Sequence, residues 1–119
     1  MTAYRRGDVV LVNFVFANEH GIKRRPAVIV SAEPYQQGRQ EVIMAAITSN
    51  VGRLLVGDHL IADWQGAGLL YPSVATGIIR TIKQAMIARK LGTMPDPDLR
   101  AIENALRVAL GLQDFSMNP

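Results

Sequence analysis

The sequence predicts a mainly β fold: a small barrel-like sheet of five or six short strands with one C-terminal helix as a lid. Three observations carry this. Short apolar runs rich in β-branched residues recur at Val9–Phe16, Ala27–Val30 and Glu41–Ile47, too short for helices and apolar enough to be covered on both faces. Glycine, proline and small polar residues punctuate the gaps between them. One stretch near the end, after Pro95-Asp96-Pro97, has helical rather than alternating periodicity.

In chain order, Gly7-Asp8 reads as a turn and Val9 to Phe16 as the first strand. Val9, Leu11 and Val15 point one way, Val10, Val12, Phe14 and Phe16 the other, with Asn13 the one polar member. Ala17 to Arg24 is polar, contains Gly21 and reads as a hairpin loop. Arg25 is biased toward extended backbone by the following proline, and Pro26 suits the first residue of the next strand. Ala32 to Gln40 reads as a loop, and Glu41 to Ile47 as a third buried strand ending at Thr48-Ser49-Asn50. A further strand is expected over Leu54 to Ile61, broken near Gly57-Asp58, then a turn at Trp64–Gly68 and a strand through Ile78–Ile82. Gln84–Arg89 fits a strand or a helical turn. Asp96 is the expected N-cap, with Pro97 at N1 and Asp98 in the first turn. Leu99, Ile102, Leu106, Ala109 and Leu110 share one face, Glu103 and Arg107 form an outer i,i+4 pair, and Gly111 ends the helix. Residues 1–112 form one domain on this reading, and 113–119 a flexible tail.

The 119 residues suit one modest core. No apolar run approaches the roughly 18 residues that cross a bilayer, and the first residues lack the apolar segment of a signal peptide, so a cytoplasmic protein without membrane contact is expected. Cysteine is absent, which excludes disulfides and thiolate metal sites. The net charge is +3, and ten of the thirteen cations are arginine, whose planar fork suits phosphate. Residues 1–53 hold seven cations against four acids, whereas the rest balances at six and six. The balance tilts toward a polyanionic partner.

His20 and His59 lie near no second ligand at a recognisable spacing, no glycine-rich phosphate loop precedes a helix, and no nucleophile elbow is visible. No metal or cofactor is expected. His59 reads as an ordinary residue on a strand edge. What remains is Arg25 just before one buried strand and Thr48-Ser49 just after another. If those strands are antiparallel neighbours, the two ends meet on one rim, where a guanidinium beside a hydroxyl can cradle a phosphate. A threonine at that place can equally bond its own backbone.

The series Gly7-Asp8-Val9-Val10-Leu11-Val12, Lys23-Arg24-Arg25-Pro26-Ala27-Val28-Ile29-Val30-Ser31, Ile47-Thr48-Ser49, Pro72-Ser73-Val74, Ile79-Arg80-Thr81-Ile82 and Arg89-Lys90-Leu91-Gly92, followed by a helix, resembles the MazF/PemK family of toxins. The resemblance implies an SH3-like barrel of five to seven strands with a C-terminal α-helix, assembled as a homodimer. It implies a toxin of a type II toxin-antitoxin system: a metal-independent endoribonuclease of single-stranded RNA, held inactive by a cognate antitoxin with which such toxins also take part in DNA binding. Attack by the 2′-hydroxyl would leave 2′,3′-cyclic phosphate and 5′-hydroxyl ends. Residue by residue, it implies catalytic roles for Arg25 and Thr48, and RNA binding by Lys23, Arg24, Ser49 and Arg80, with His20 joining if its loop folds over the groove. Tyr35, Trp64 and Tyr71 are candidate stacking residues, Trp64 being as well suited to the core. The stretch Ala75–Arg80 departs from family members that carry an acid there, and leaves the general base unassigned. The alternative is a non-nuclease binding protein on the same fold, a gyrase-poison-like or catalytically silent relative.

Overall fold

A computed structural model describes residues 4–15 and 21–112. Six strands form one antiparallel sheet in the order β4-β5-β3-β2-β1-β6: β1 (Asp8–Val15), β2 (Ile22–Ile29), β3 (Glu41–Thr48), β4 (His59–Leu60), β5 (Val74–Lys83) and β6 (Ile87–Thr93). A single helical turn, α1 (Glu33–Gln36), joins β2 to β3, and the long helix α2 (Asp96–Leu110) closes the described chain.

Alternation along the central strands sends side chains to two cores, as the apolar pattern of β1 predicts. Val9, Val28, Ala45 and Ile47 meet Ile102 of α2 and Met94 on one face, with Leu99 and Leu106 packed against them. Val10, Val12, Phe14, Ala27, Ile29 and Met44 form the other. The lid helix therefore covers one face only. Its apolar stripe is shorter than expected, since Ala109 and Leu110 are exposed. Gly111 ends the helix in the left-handed region, φ 70°. Glu103, expected to pair with Arg107, pairs instead with Arg6.

Several boundaries differ from the sequence reading. Lys23 and Arg24, expected in the loop, and Arg25, expected just before the strand, lie inside β2, opposite Phe14, Asn13 and Val12 of β1. Their side chains are exposed, so the strand tolerates the charge. Pro26 is consequently mid-strand. Leu54–Val56 are exposed loop residues, and only His59–Leu60 of the expected fourth strand pairs, against Val74 and Ala75. The ambiguous stretch resolves into a 3-10 turn, Gln84–Met86, followed by β6. Asp96 is the first helical residue, with Pro95 at the N-cap and no side-chain cap. The expected tail, 113–119, and His20 lie outside the described residues.

The segment from Trp64 to Ser73 is a compact series of turns fastened to β6. A Cβ on Gly68 would lie 2.2 Å from the Leu91 carbonyl oxygen, and one on Gly92 2.4 Å from that of Ala67. The two backbones touch, which only paired glycines allow. Gly68→Ala is therefore expected to cost about 3 kcal/mol, from overpacking and from its φ of +85° together. Gly21→Ala, at φ +104° with nothing within 4 Å, should cost only about 1 kcal/mol. Equilibrium urea unfolding of the two variants checks the difference, and equal losses would refute the backbone-contact reading.

Candidate active site

Pairing between β2 and β3 covers only Ala27–Ala46, Val28–Ala45 and Ile29–Met44. Val30 N–H donates to Ile43 O on the β3 side, while Ile29 O accepts from Gly7 N–H on the β1 side. Backbone groups alternate direction along a strand, so Pro26, in phase with Val28 and Val30, turns its missing N–H toward β3. The ladder has no donor there, and the two strands part. A cleft of about 880 Å³ opens at this point, walled by the ends of β2 and β3, by β5 and by the Gly68–Ser73 segment.

Continuing the same register two residues past Ala27–Ala46 sets Arg25 opposite Thr48, on the same side by strand alternation. Both line the cleft, as do Arg24, Ser49 and Arg80. Thr48 Oγ1 accepts the Asn50 N–H at 3.1 Å, the end-of-strand bond its sequence position suggests, and its own O–H remains a donor.

The charged lining consists of Arg24, Arg25, Arg80 and Arg89, with no acid among the described lining residues. Three of these are held by neutral groups. Arg24 Nε donates to Asn13 Oδ1 at 3.0 Å, which gives the one polar residue of the run Val9–Val15 its purpose. Arg25 donates from one terminal nitrogen to the Arg24 carbonyl at 3.1 Å. Arg80, opposite Met44 in the β3–β5 register, lies with its guanidinium 5.1 Å from the Phe14 ring centroid. Elsewhere, Arg6 and Lys90 pair with Glu103 and Asp8. The cleft cations are thus oriented without being neutralised, and a concave site of one sign attracts anions.

Residues 5–110 match the model of the PemK-like, MazF-like toxins of type II toxin-antitoxin systems. The chain belongs to this family. Solved structures share its fold over nearly their full length. A chain of the MazE–MazF crystal structure from Deinococcus radiodurans matches with TM-score 0.77 at 19% identity, over 95% of this chain and 100% of that one. A mycobacterial endoribonuclease in complex with its cognate antitoxin gives 0.74 at 22%, over 94% and 99%. The Mycobacterium tuberculosis toxin MazF-mt6 gives 0.73 at 23%, over 90% and 99%.

Of the sequence-derived residues of this toxin-family chain, the cleft gathers Arg24, Arg25, Thr48, Ser49 and Arg80. Lys23 is exposed on β2 and is not among the lining residues. Trp64 packs against the α2-side core, and Tyr35 carries Arg39 at 4.3 Å from its ring centroid, whereas Tyr71 lines the cleft. Arg89 also lines it and was missed as a site residue, because β6 gave no clear strand pattern from which its facing could be read. In the acid-free stretch of β5, Thr76 Oγ1 donates to Ala46 O at 2.7 Å, and Gly77 N–H donates to Asp58 Oδ1 at 2.9 Å. These bonds hold the irregularity where the β3–β5 register shifts between Ala45 and Ile47.

His59 is not an ordinary edge residue, although it does lie on an edge strand. Its Nε2 is 2.7 Å from Oδ1 of Asp98, which also accepts from Ala62 N–H, while Oδ2 accepts from Asp63 N–H. Asp98 was expected only to complement the helix N-terminus; it is buried, and it fastens α2 to the segment after β4. Burial opposes its charge, but the His59 and backbone hydrogen bonds and the His59 charge outweigh it, holding the carboxyl below its ordinary 3.8. A carboxyl lowered on folding stabilises the fold above its unfolded value, and that contribution is lost as pH falls through the folded one. Thermal melts should therefore show stability declining below about pH 4. Asp98→Asn should cost about 1–3 kcal/mol at pH 7 and flatten that acid limb. An unchanged limb in the variant would refute the assignment.

Proposed function

We propose that this toxin-family protein is a metal-independent endoribonuclease that cuts single-stranded RNA in the Arg25–Thr48 cleft, stopping growth by degrading messenger RNA in the cytoplasm. The observation that carries the reading is the shared cleft of a guanidinium and a hydroxyl, at the adjoining ends of two antiparallel strands and among cations that no acid among the described residues neutralises. The family match and the endoribonucleases among the solved relatives support it.

In this reading the scissile phosphate sits between Arg25 and Thr48. The substrate's 2′-oxygen attacks phosphorus, the bond to the 5′-oxygen breaks, and the proton lost from the 2′-hydroxyl is balanced by one gained at the leaving oxygen. The products are a 2′,3′-cyclic phosphate and a 5′-hydroxyl. Arg25 stabilises the charge gathering on the non-bridging oxygens, a contribution that grows toward the transition state. It is not the proton donor, since a guanidinium gives up its proton poorly near neutral pH. Thr48 donates its O–H to one of those oxygens or orients the 2′-hydroxyl. Arg24, Arg80 and Ser49 hold adjoining parts of the strand, with Lys23 adding charge at the cleft's approach. His20 belongs to the same proposal, as a residue that its loop could bring over the groove. The active form is a homodimer, and a cognate antitoxin silences it by covering the cleft.

Incubation of long single-stranded RNA with the purified protein in excess EDTA should give discrete cuts with cyclic-phosphate ends. Arg25→Ala is expected to lower kcat by about 10²–10³-fold with the circular dichroism spectrum unchanged, and Thr48→Ala by a smaller factor. Growth arrest without RNA cleavage would exclude the nuclease and favour a binding poison on the same fold.

A further inference from the structure

Arg89 has no part in the chemistry above, yet it faces the same cleft. β6 places it opposite Leu11, and Leu11 is opposite Pro26. Arg89, Leu11 and Pro26 therefore form one row across three strands on one face. Two inter-strand spacings put the Arg89 backbone roughly 10 Å from that of Pro26. A cation so placed meets a neighbouring link of a bound strand rather than the reacting phosphate. Among the described residues it makes no hydrogen bond or ion pair, unlike Lys90 beside it, which pairs with Asp8.

Tyr71 reaches the same cleft by a separate route. The contact of Gly68 with Leu91 and Gly92 seats the Gly68–Ser73 segment against β6. The Tyr71 carbonyl is fixed by the Ser73 hydroxyl at 2.7 Å. Its side chain nevertheless stays open, with Tyr71 65% exposed beside Leu70 at 82%. A large ring held open on a fastened backbone, in a cleft also lined by an unpaired guanidinium and by the apolar Leu11 and Leu91, has the composition of a stacking platform with a phosphate anchor.

We propose that Tyr71 and Arg89 form a flanking-nucleotide subsite, Tyr71 stacking on an unpaired base and Arg89 holding the adjacent phosphate. The subsite rests on the ribonuclease reading and deepens it by naming where the strand continues beyond the cut.

The test uses the full-length protein and a labelled single-stranded RNA of mixed sequence, about 12 nucleotides long, 2′-O-methylated throughout so that it binds without being cut. Arg89→Ala should weaken binding and lower the slope of log Kd against log salt by about 0.7. Tyr71→Ala should weaken binding by about five- to a hundredfold, and Tyr71→Phe should restore most of that loss, because the ring face makes the contact. If the parent binds the probe and cuts unmodified RNA while both alanine variants keep its affinity and salt slope, the subsite is wrong and the nuclease reading stands. A parent that neither binds nor cuts overturns both.

Discussion

One missing hydrogen-bond donor governs the architecture of the cleft. Pro26 lies mid-strand with its nitrogen turned toward β3, where a ladder bond would otherwise form. Proline within a sheet is confined to places where a strand lacks a neighbour on its N–H side, and here it marks where the neighbour is lost. On one side of that point Ala27–Ile29 are fully buried between β1 and β3. On the other, the same strand carries exposed cations and pairs with β1 alone. A buried core strand and an open, charged edge are thus consecutive parts of one eight-residue element.

The cleft's charge depends on how its arginines are restrained. A carboxylate partner would fix a guanidinium but cancel its field. An amide oxygen, a backbone carbonyl and an aromatic face fix it and leave the field intact. This explains why Asn13 interrupts the apolar run Val9–Val15 and why Phe14 stands beside Arg80. It also separates these arginines from Arg6 and Lys90, whose acidic partners give them a structural part.

Much of this was legible in the sequence, for identifiable reasons. The two-faced apolar pattern of β1, the runs of β2 and β3, and the stripe through Leu99, Ile102 and Leu106 follow directly from burial. Placing Arg25 and Thr48 on one rim rested on one assumption, that their strands are antiparallel neighbours; β2 and β3 are so paired, and both residues line the cleft. What was misread turned on context. Three consecutive cations resemble a loop, because local composition does not say that β1 offers them a ladder. Leu54–Val56 resemble a strand, because β-propensity reflects packing that this segment lacks. Asp98 resembled a surface charge at a helix start, since nothing local announces that His59 and two backbone N–H groups, more than 30 residues earlier, converge on it. Arg89 escaped notice because its facing depends on register shifts in the β1–β6 pairing.

The glycine-on-glycine crossing of Gly68 and Gly92 has a mechanical corollary. With no side chain between them, the Gly68–Ser73 wall is seated directly on the backbone of β6. Across the gap, residues 22–25 are laddered on a single side, to β1, and nothing in the sheet braces them against β3. In the proposed function the two walls of the cleft are therefore unequally supported: one rests on β6, and the other, bearing Arg24 and Arg25, is laddered to β1 alone.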